Sequence, residues 1–172
     1  MLSKSSRQEI VRKIDVKIGY PVREEHLTPS TRQAITNLAT VQRHLFVIME
    51  LLRGESRRVE GSAVLRTAAK LGMDSKKKER AVLADEIVKL QAEIDAKVSD
   101  LATQVVAEEN ARLTGVPPPL YGGKLELVEF KCPSCGAQLP LPTGRMITCK
   151  YCNSTFTLQD VSSQLKSMIK GI

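Results

Sequence analysis

Leu83-Ala-Asp-Glu-Ile87-Val-Lys-Leu90-Gln-Ala-Glu-Ile94-Asp-Ala-Lys-Val98-Ser-Asp-Leu101-Ala-Thr-Gln-Val105 carries an apolar side chain at steps of 4, 3, 4, 4, 3 and 4 residues. Leu83, Ile87, Leu90 and Ile94 therefore repeat eleven residues on as Ile94, Val98, Leu101 and Val105. An eleven-residue period is about 3.67 residues per turn, so the apolar row stays nearly straight along an α-helix. With a cap at Asp74 or Ser75 the helix is expected to reach about residue 113, a span of roughly 60 Å. So narrow a seam on so long a helix needs covering. A helix of the same chain can cover part of it, which leaves the rest to a second copy (a homo-oligomer through the long helix) or to another protein.

Upstream, Thr28-Pro29-Ser30 marks a helix start, with a hydroxyl at the N-cap and proline where its missing N–H costs nothing. Ile35, Leu38, Val41, Leu45, Ile48 and Leu52 form one stripe behind it, widened by Phe46, Val47 and Met49. Gly54 is the natural residue to end this helix, expected over 29–53. A shorter helix is expected over 59–71, weakened by Gly61, closed by Gly72, with Val64, Leu65, Ala68 and Leu71 as its buried face. Nearer the N-terminus, Ile10, Ile14 and Ile18 suit a helix, while Ile14, Val16, Ile18 and Tyr20 alternate as in a strand. Periodicity does not arbitrate there. A helix over 8–17 is the expectation, ended by Gly19 and Pro21.

Composition fits packed helices. Of the 172 residues 42% are hydrophobic but only 3% aromatic, so the core must be mainly Leu, Ile, Val and Ala. The net charge of +7 attracts polyanions without requiring one. No stretch approaches the roughly 18 uninterrupted apolar residues of a membrane span, and the N-terminal residues lack a secretory h-region. A cytoplasmic location is expected.

Downstream, Gly115 and Pro117-Pro118-Pro119 stop the long helix, and Tyr121-Gly122-Gly123 adds a joint. The expected organisation is an N-terminal segment (1–27), a helical coiled-coil-like domain (28–115), a linker (116–124), a cysteine module (125–158) and a C-terminal helix (159–172). That last helix is read from Val161, Leu165, Met168 and Ile169, with Asp160 as its cap; it packs on the module or offers an apolar face to a partner.

The module holds the chain's four cysteines, Cys132, Cys135, Cys149 and Cys152. Two C-x-x-C pairs, with thirteen residues between Cys135 and Cys149, bring four soft ligands from two directions to one closed tetrahedral site. Residues 125–130 and 145–148 read as strands leading into the pairs, and 155–158 as a strand leaving. Gly136 and Asn153 suit the left-handed conformation that each turn requires. Backbone N–H groups in these turns can then face the sulfurs. Cys132-Pro-Ser-Cys135-Gly and Cys149-Lys-Tyr-Cys152-Asn, with short strands between and after, resemble the zinc-ribbon family over about residues 125–158. The resemblance implies one structural Zn²⁺. It leaves function open, because such ribbons serve transcription, translation, repair and many assemblies. A rubredoxin-like iron site shares the spacing, but few aromatics are at hand for a redox-tuned pocket. A catalytic dithiol lacks its βαβ setting. Phe130 and Phe156 are expected in the ribbon's core.

Nothing points to catalysis. Four thiolates leave a metal no open position. His44, on the edge of the α-helical stripe, reads as an ordinary histidine of a helix flank, and His26 as part of a solvated loop. No G-x-S-x-G, G-x-G-x-x-G or G-x-x-x-x-G-K-[ST] motif occurs. Glu108 and Glu109 point about 100° apart and share no site.

Charge is uneven: residues 1–80 carry 17 Lys/Arg against 9 Asp/Glu, whereas residues 81–115 carry 3 against 7. Arg53, Arg57, Arg58, Lys76, Lys77, Lys78 and Arg80 bracket the shorter helix and would gather at one end of a hairpin. They can release counterions from nucleic-acid phosphates, or they can simply form a solvated turn. Tyr151, beside Lys150 and near Arg145 and Lys131 in sequence, stacks on a base or, more commonly, packs over the ribbon's own strands. Candidate nucleic-acid contacts are thus Arg57, Arg58, Lys76, Lys77, Lys78, Arg80, Lys150 and Tyr151. The chain is expected to be mainly α, with a long helical hairpin, a small β zinc ribbon and a C-terminal helix. The expected role is a non-catalytic adaptor or accessory subunit of a protein or ribonucleoprotein assembly, docking through its helical seam and its ribbon. Direct DNA or RNA binding is the alternative.

Overall fold

The computed structural model describes residues 2–74, 76–117 and 129–172. Helices α1 (Leu2–Ile18), α2 (Pro29–Gly61), α3 (Ala63–Lys70) and α4 (Lys77–Thr114) precede strands β1 (Met146–Thr148) and β2 (Thr155–Thr157) and helix α5 (Leu158–Lys170). The fold is therefore mainly α with a small two-stranded antiparallel sheet. Two compact units are present: Met1–Arg43, Gln91–Glu129 and Lys166–Ile172 make the first, His44–Leu90 and Phe130–Leu165 the second. The proline-rich linker residues 118–124 lie outside the described residues.

In the second unit, Leu45 and Ile48 of α2 and Leu83, Ile87 and Leu90 of α4 are buried as their spacing predicts. Phe46 is not: it is 54% exposed, because a neighbour of Leu45 points about 100° away from the stripe. Helix α2 also continues through Gly54 to Gly61. A glycine inside a helix costs only about 1 kcal/mol, and the turn beyond it carries Glu55, whose carboxylate receives the Arg145 guanidinium through Nε and Nη2. Ser62 breaks the helix with extended backbone and caps α3, accepting the Leu65 N–H at 3.3 Å. Gly72 closes α3 at φ +74°, with Met73 N–H donating to the Ala68 carbonyl and Gly72 N–H to that of Ala69, a Schellman pattern. The expected buried face of α3 does not exist. No residue of α3 is buried, and Val64 is 77% exposed.

Helix α4 begins after Asp74, whose carbonyl accepts the Lys77 N–H and whose carboxylate pairs with Arg80; Ser75, the other expected cap, lies outside the described residues. Every seam residue from Leu83 to Val105 is buried. At α5, Thr157 rather than Asp160 is the cap. The Asp160 N–H donates to Thr157 Oγ1 (3.3 Å) and the Thr157 N–H to Asp160 Oδ2 (2.7 Å), a capping box in which the aspartate is the third helical residue. Val161, Leu165 and Ile169 are buried, so α5 packs within the chain.

In the first unit, Ile10 and Ile14 of α1 are buried while Val16 is exposed. The four-residue spacing wins over the alternation, and α1 is a helix longer than the expected 8–17. Ile35, Leu38 and Val41 of α2 and Ile94, Val98, Leu101 and Val105 of α4 complete an aliphatic core. Thr28 caps α2 as expected, accepting the Thr31 N–H at 3.2 Å. A second layer of capping comes from α4: the Glu108 carboxylate accepts the Thr28 N–H (2.9 Å), the Thr28 hydroxyl (2.8 Å), the Thr31 hydroxyl and the Gln104 amide (3.1 Å). Further along, the Gln42 amide meets Gln91. The 28–108 and 42–91 contacts run in opposite directions, so α2 and α4 are antiparallel here. Lys13 ties α1 to Asp95 of α4 at 2.9 Å. His26, expected in a solvated loop, is instead partly buried in a 3-10 turn with Nδ1 3.2 Å from Glu109 Oε2. The adjacent glutamates thus hold separate partners.

Glu108 is only 4% exposed, yet it is ionised. Burial pushes its pKa up, but the hydrogen bonds from Thr31, Thr28 and Gln104 outweigh burial and hold the carboxyl below its usual 4.5. Its negative charge at the N-terminus of α2 also interacts favourably with the positive end of the helix dipole. A carboxyl with a depressed folded pKa adds stability above its unfolded pKa, and the gain disappears as the pH falls through the folded value. Glu108→Gln is therefore expected to lower stability by about 1–3 kcal/mol at pH 7, with a smaller gap to the wild type at pH 3. Denaturant unfolding at the two pH values checks this.

Candidate metal centre

Both cysteine turns are built the same way. In the first, the Gly136 N–H donates to the Cys132 carbonyl (2.8 Å) and the Cys132 N–H to the Ala137 carbonyl (2.7 Å). In the second, the Asn153 N–H donates to the Cys149 carbonyl and the Cys149 N–H to the Ser154 carbonyl, each at 2.9 Å. Gly136 (φ +75°) and Asn153 (φ +56°) take the left-handed conformation that reverses the chain after the second cysteine of each pair. Asparagine tolerates that region better than other side-chain-bearing residues do.

Short strands deliver the turns. In the antiparallel β1–β2 pair, Met146 faces Thr157, Ile147 faces Phe156 and Thr148 faces Thr155. This pairing brings the chain back after the second turn. The first turn rests on less: one Lys131–Gln138 bridge and the Leu139 N–H bonded to the Phe130 carbonyl at 2.8 Å. Glu129 and Phe130 are not in a strand, and residues 125–128 of the expected strand lie outside the described residues.

The four sulfurs lie within 4.8 Å of one another. Cys132 Sγ is 3.6 Å from Cys152 Sγ, and Cys135 Sγ is 3.7 Å from Cys149 Sγ. A disulfide needs about 2.05 Å, so these are four separate thiols around one point, and they can hold a metal ion. Cys132 and Cys149 are buried; Cys135 and Cys152 face outward. The hydroxyl and backbone N–H of Ser154 favour the Cys152 thiolate and lower its pKa to about 6. At Cys135 the Ala137 N–H also favours the thiolate, but the neighbouring sulfurs, Cys152 foremost, and burial push it up to about 12. Four negative sulfurs this close repel one another, and a cation at their centre removes that conflict.

Three contacts within the second unit seat the module. Arg145 grips Glu55 of α2 and reaches Glu79 of α4 at 3.2 Å. The Phe130 ring lies against His44, centroids 5.0 Å apart, so Phe130 packs on α2. The Gln164 amide of α5 donates to the Lys131 carbonyl at 2.8 Å. None of these was legible in sequence. Glu55 and Arg145 are ninety residues apart, and each carries only an ordinary surface-type charge.

The expected nucleic-acid residues fall in two places. Arg58, Lys76 and Arg80 line one hollow, Arg80 being committed to Asp74. Arg57 lies near the C-terminal end of α2, and Lys77 and Lys78 open α4, all three exposed. Lys150 and Tyr151 sit in the second cysteine turn and do not line that hollow. Tyr151 is 78% exposed, so it does not pack over the strands beside it. Phe156 is only half-buried. Arg145, counted in sequence among the cations near Tyr151, is neutralised by its two glutamates.

In comparisons with protein-family models, curated proteins and solved structures, nothing matches this chain. No helix among the described residues is long and apolar enough to cross a membrane.

Removing the Arg145 clamp is expected to loosen the module while leaving the first unit intact. Arg145→Ala should cost about 1 kcal/mol, since the pair is two-pronged but only partly buried. Hydrogen exchange should quicken at the Ile147 and Phe156 amides and stay unchanged at Val98 and Leu101.

Proposed function

We propose that the cysteine module is a zinc ribbon and that the chain is a non-catalytic adaptor or accessory subunit of a larger protein or ribonucleoprotein assembly. The observation that carries this is the spacing of the sulfurs. A tetrahedral zinc with bonds of about 2.3 Å sets its sulfur–sulfur edges near about 3.8 Å. The 3.6 and 3.7 Å pairs fit such an ion. The residues that would hold it are Cys132, Cys135, Cys149 and Cys152, and the group supplies a rigid cross-link where a small module has little core. With all four positions taken by protein, such a zinc organises structure rather than activating water. A reducing compartment such as the cytoplasm suits thiolate ligands.

The long apolar seam is buried along its length. Docking therefore falls to exposed parts of the molecule. Lys150 and Tyr151 project from the second turn on a backbone that the metal would stiffen, and Met146 beside it is exposed too. A fixed, exposed Tyr is a favoured interface anchor. The same geometry favours a second reading, direct DNA or RNA binding, in which Tyr151 stacks on a base and Lys150 meets a phosphate.

Elemental analysis of the purified protein should find one zinc per chain; iron in its place, or a metal-free protein with β1 and β2 intact, would sink the zinc reading. Affinity purification from the native host, with nuclease treatment and moderate salt, separates the two roles. An adaptor keeps its protein companions under both and loses them in Tyr151→Ala. A nucleic-acid binder releases its cargo steeply as salt rises.

A further inference from the structure

The C-terminal end of α2, the short α3 and the start of α4 surround a hollow of about 440 Å³. Val59, Leu65, Ala68 and Met73 line it, with Arg58 and Lys76 among its polar residues. The acids that line it are already taken: Asp74 by Arg80, and Glu55 by Arg145, which also holds Glu79. Residues 53–80 carry nine Lys/Arg and four Asp/Glu, so these pairs leave Glu60 as the one acid to balance the outward charge. Against it stand Arg57, Arg58, Arg66, Lys70, Lys76, Lys77 and Lys78, none held in an ion pair among the described residues. Beside the hollow, Val64 and Leu71 are 77% and 68% exposed.

We propose that this hollow docks an acidic amphipathic segment of a protein partner, with an aliphatic side chain in the hollow and carboxylates meeting Arg58 and Lys76. Charge complementarity requires an anionic occupant. The shape and chemistry of the floor select among anions. A bilayer is met by a convex apolar crest, whereas Leu65 and Met73 here line a concavity. A nucleic-acid strand uses stacking platforms, and no aromatic residue lines this hollow. An aliphatic floor inside a cationic rim fits a helix that places apolar anchors at i, i+3 and i+4 and acids around them. The inference goes beyond the zinc-ribbon reading because it uses a different surface. A zinc-free protein would end that reading without touching this one.

The test is fluorescence anisotropy of the full chain with a labelled synthetic helical peptide carrying Leu at i, i+3, i+4 and i+7 and Glu elsewhere. Saturable binding is expected, at least about tenfold tighter than for Ser-for-Leu or Lys-for-Glu versions of the peptide. Arg58→Glu with Lys76→Glu, and separately Leu65→Asp, should each weaken it at least about tenfold. Circular dichroism and an unchanged thermal unfolding midpoint verify that these surface variants keep the fold. No binding below about 1 mM, or equal binding of the Ser-for-Leu peptide, overturns the proposal. So does tighter binding to phosphatidylcholine vesicles with about 30% phosphatidylserine or to poly(U) RNA than to the Glu/Leu peptide.

Discussion

An aliphatic row that recurs every eleven residues runs almost parallel to its helix axis, so it is buried along its length only if covering side chains follow it. That constraint governs the helical part of this protein. With 3% aromatic residues, few large rings are available to fill gaps. Burial of Val, Leu and Ile side chains is worth about 1.5–3 kcal/mol each, so α4 must be met by many small contacts in register. Ile10 and Ile14 from α1 and the stripe of α2 are buried alongside the α4 residues in the first unit, and Leu45 and Ile48 of α2 accompany Leu83, Ile87 and Leu90 in the second.

Register along such a seam needs polar fixing, because aliphatic rows slide past one another at little cost. In the first unit the fixing comes from Glu108. One carboxylate gathers donors from Thr28, Thr31 and Gln104 and so ties the first turn of α2 to one position on α4. A buried carboxylate without those donors would be strongly destabilising. With them it is ionised and directional, and a helix slip of even one residue would break several bonds together. In the sequence Glu108 stands out only as a neighbour of Glu109 that points elsewhere and shares no site with it. Its actual role depends on donors some eighty residues away.

The cysteine module solves a different problem. Its sheet has three residues per strand, too small to fold on hydrophobic burial alone. The two turns bring four sulfurs within 4.8 Å of one another, close enough to hold a metal ion, and Arg145, Phe130 and Gln164 seat the result on the helices of the second unit. The module's outer side, with Tyr151 exposed, is left free. At the α3 end of the same unit the acids turn inward to arginines and leave cations and aliphatic side chains facing out. Polar satisfaction inside the molecule thereby decides what the surface presents.

Local chemistry was sufficient for much of this. The periods of α2 and α4, the Thr28 cap, the Gly72 stop, the strands around Cys149 and Cys152, and the ligand spacing are properties of neighbouring residues, and each acts within one helical turn or one hairpin. Wherever a long-range partner outweighed a local tendency, only the tertiary structure decided. Helix α2 passes Gly54, and in the turn beyond it Glu55 meets Arg145 from the far side of the sequence. Phe46, Tyr151 and the apolar side of α3 stay exposed because none of the described residues covers them. His26 and Glu108 acquire partners from α4. Propensity and periodicity describe what a segment prefers by itself, while burial and ion pairing depend on what arrives from elsewhere in the chain, and that information is spread over residues that no short window contains.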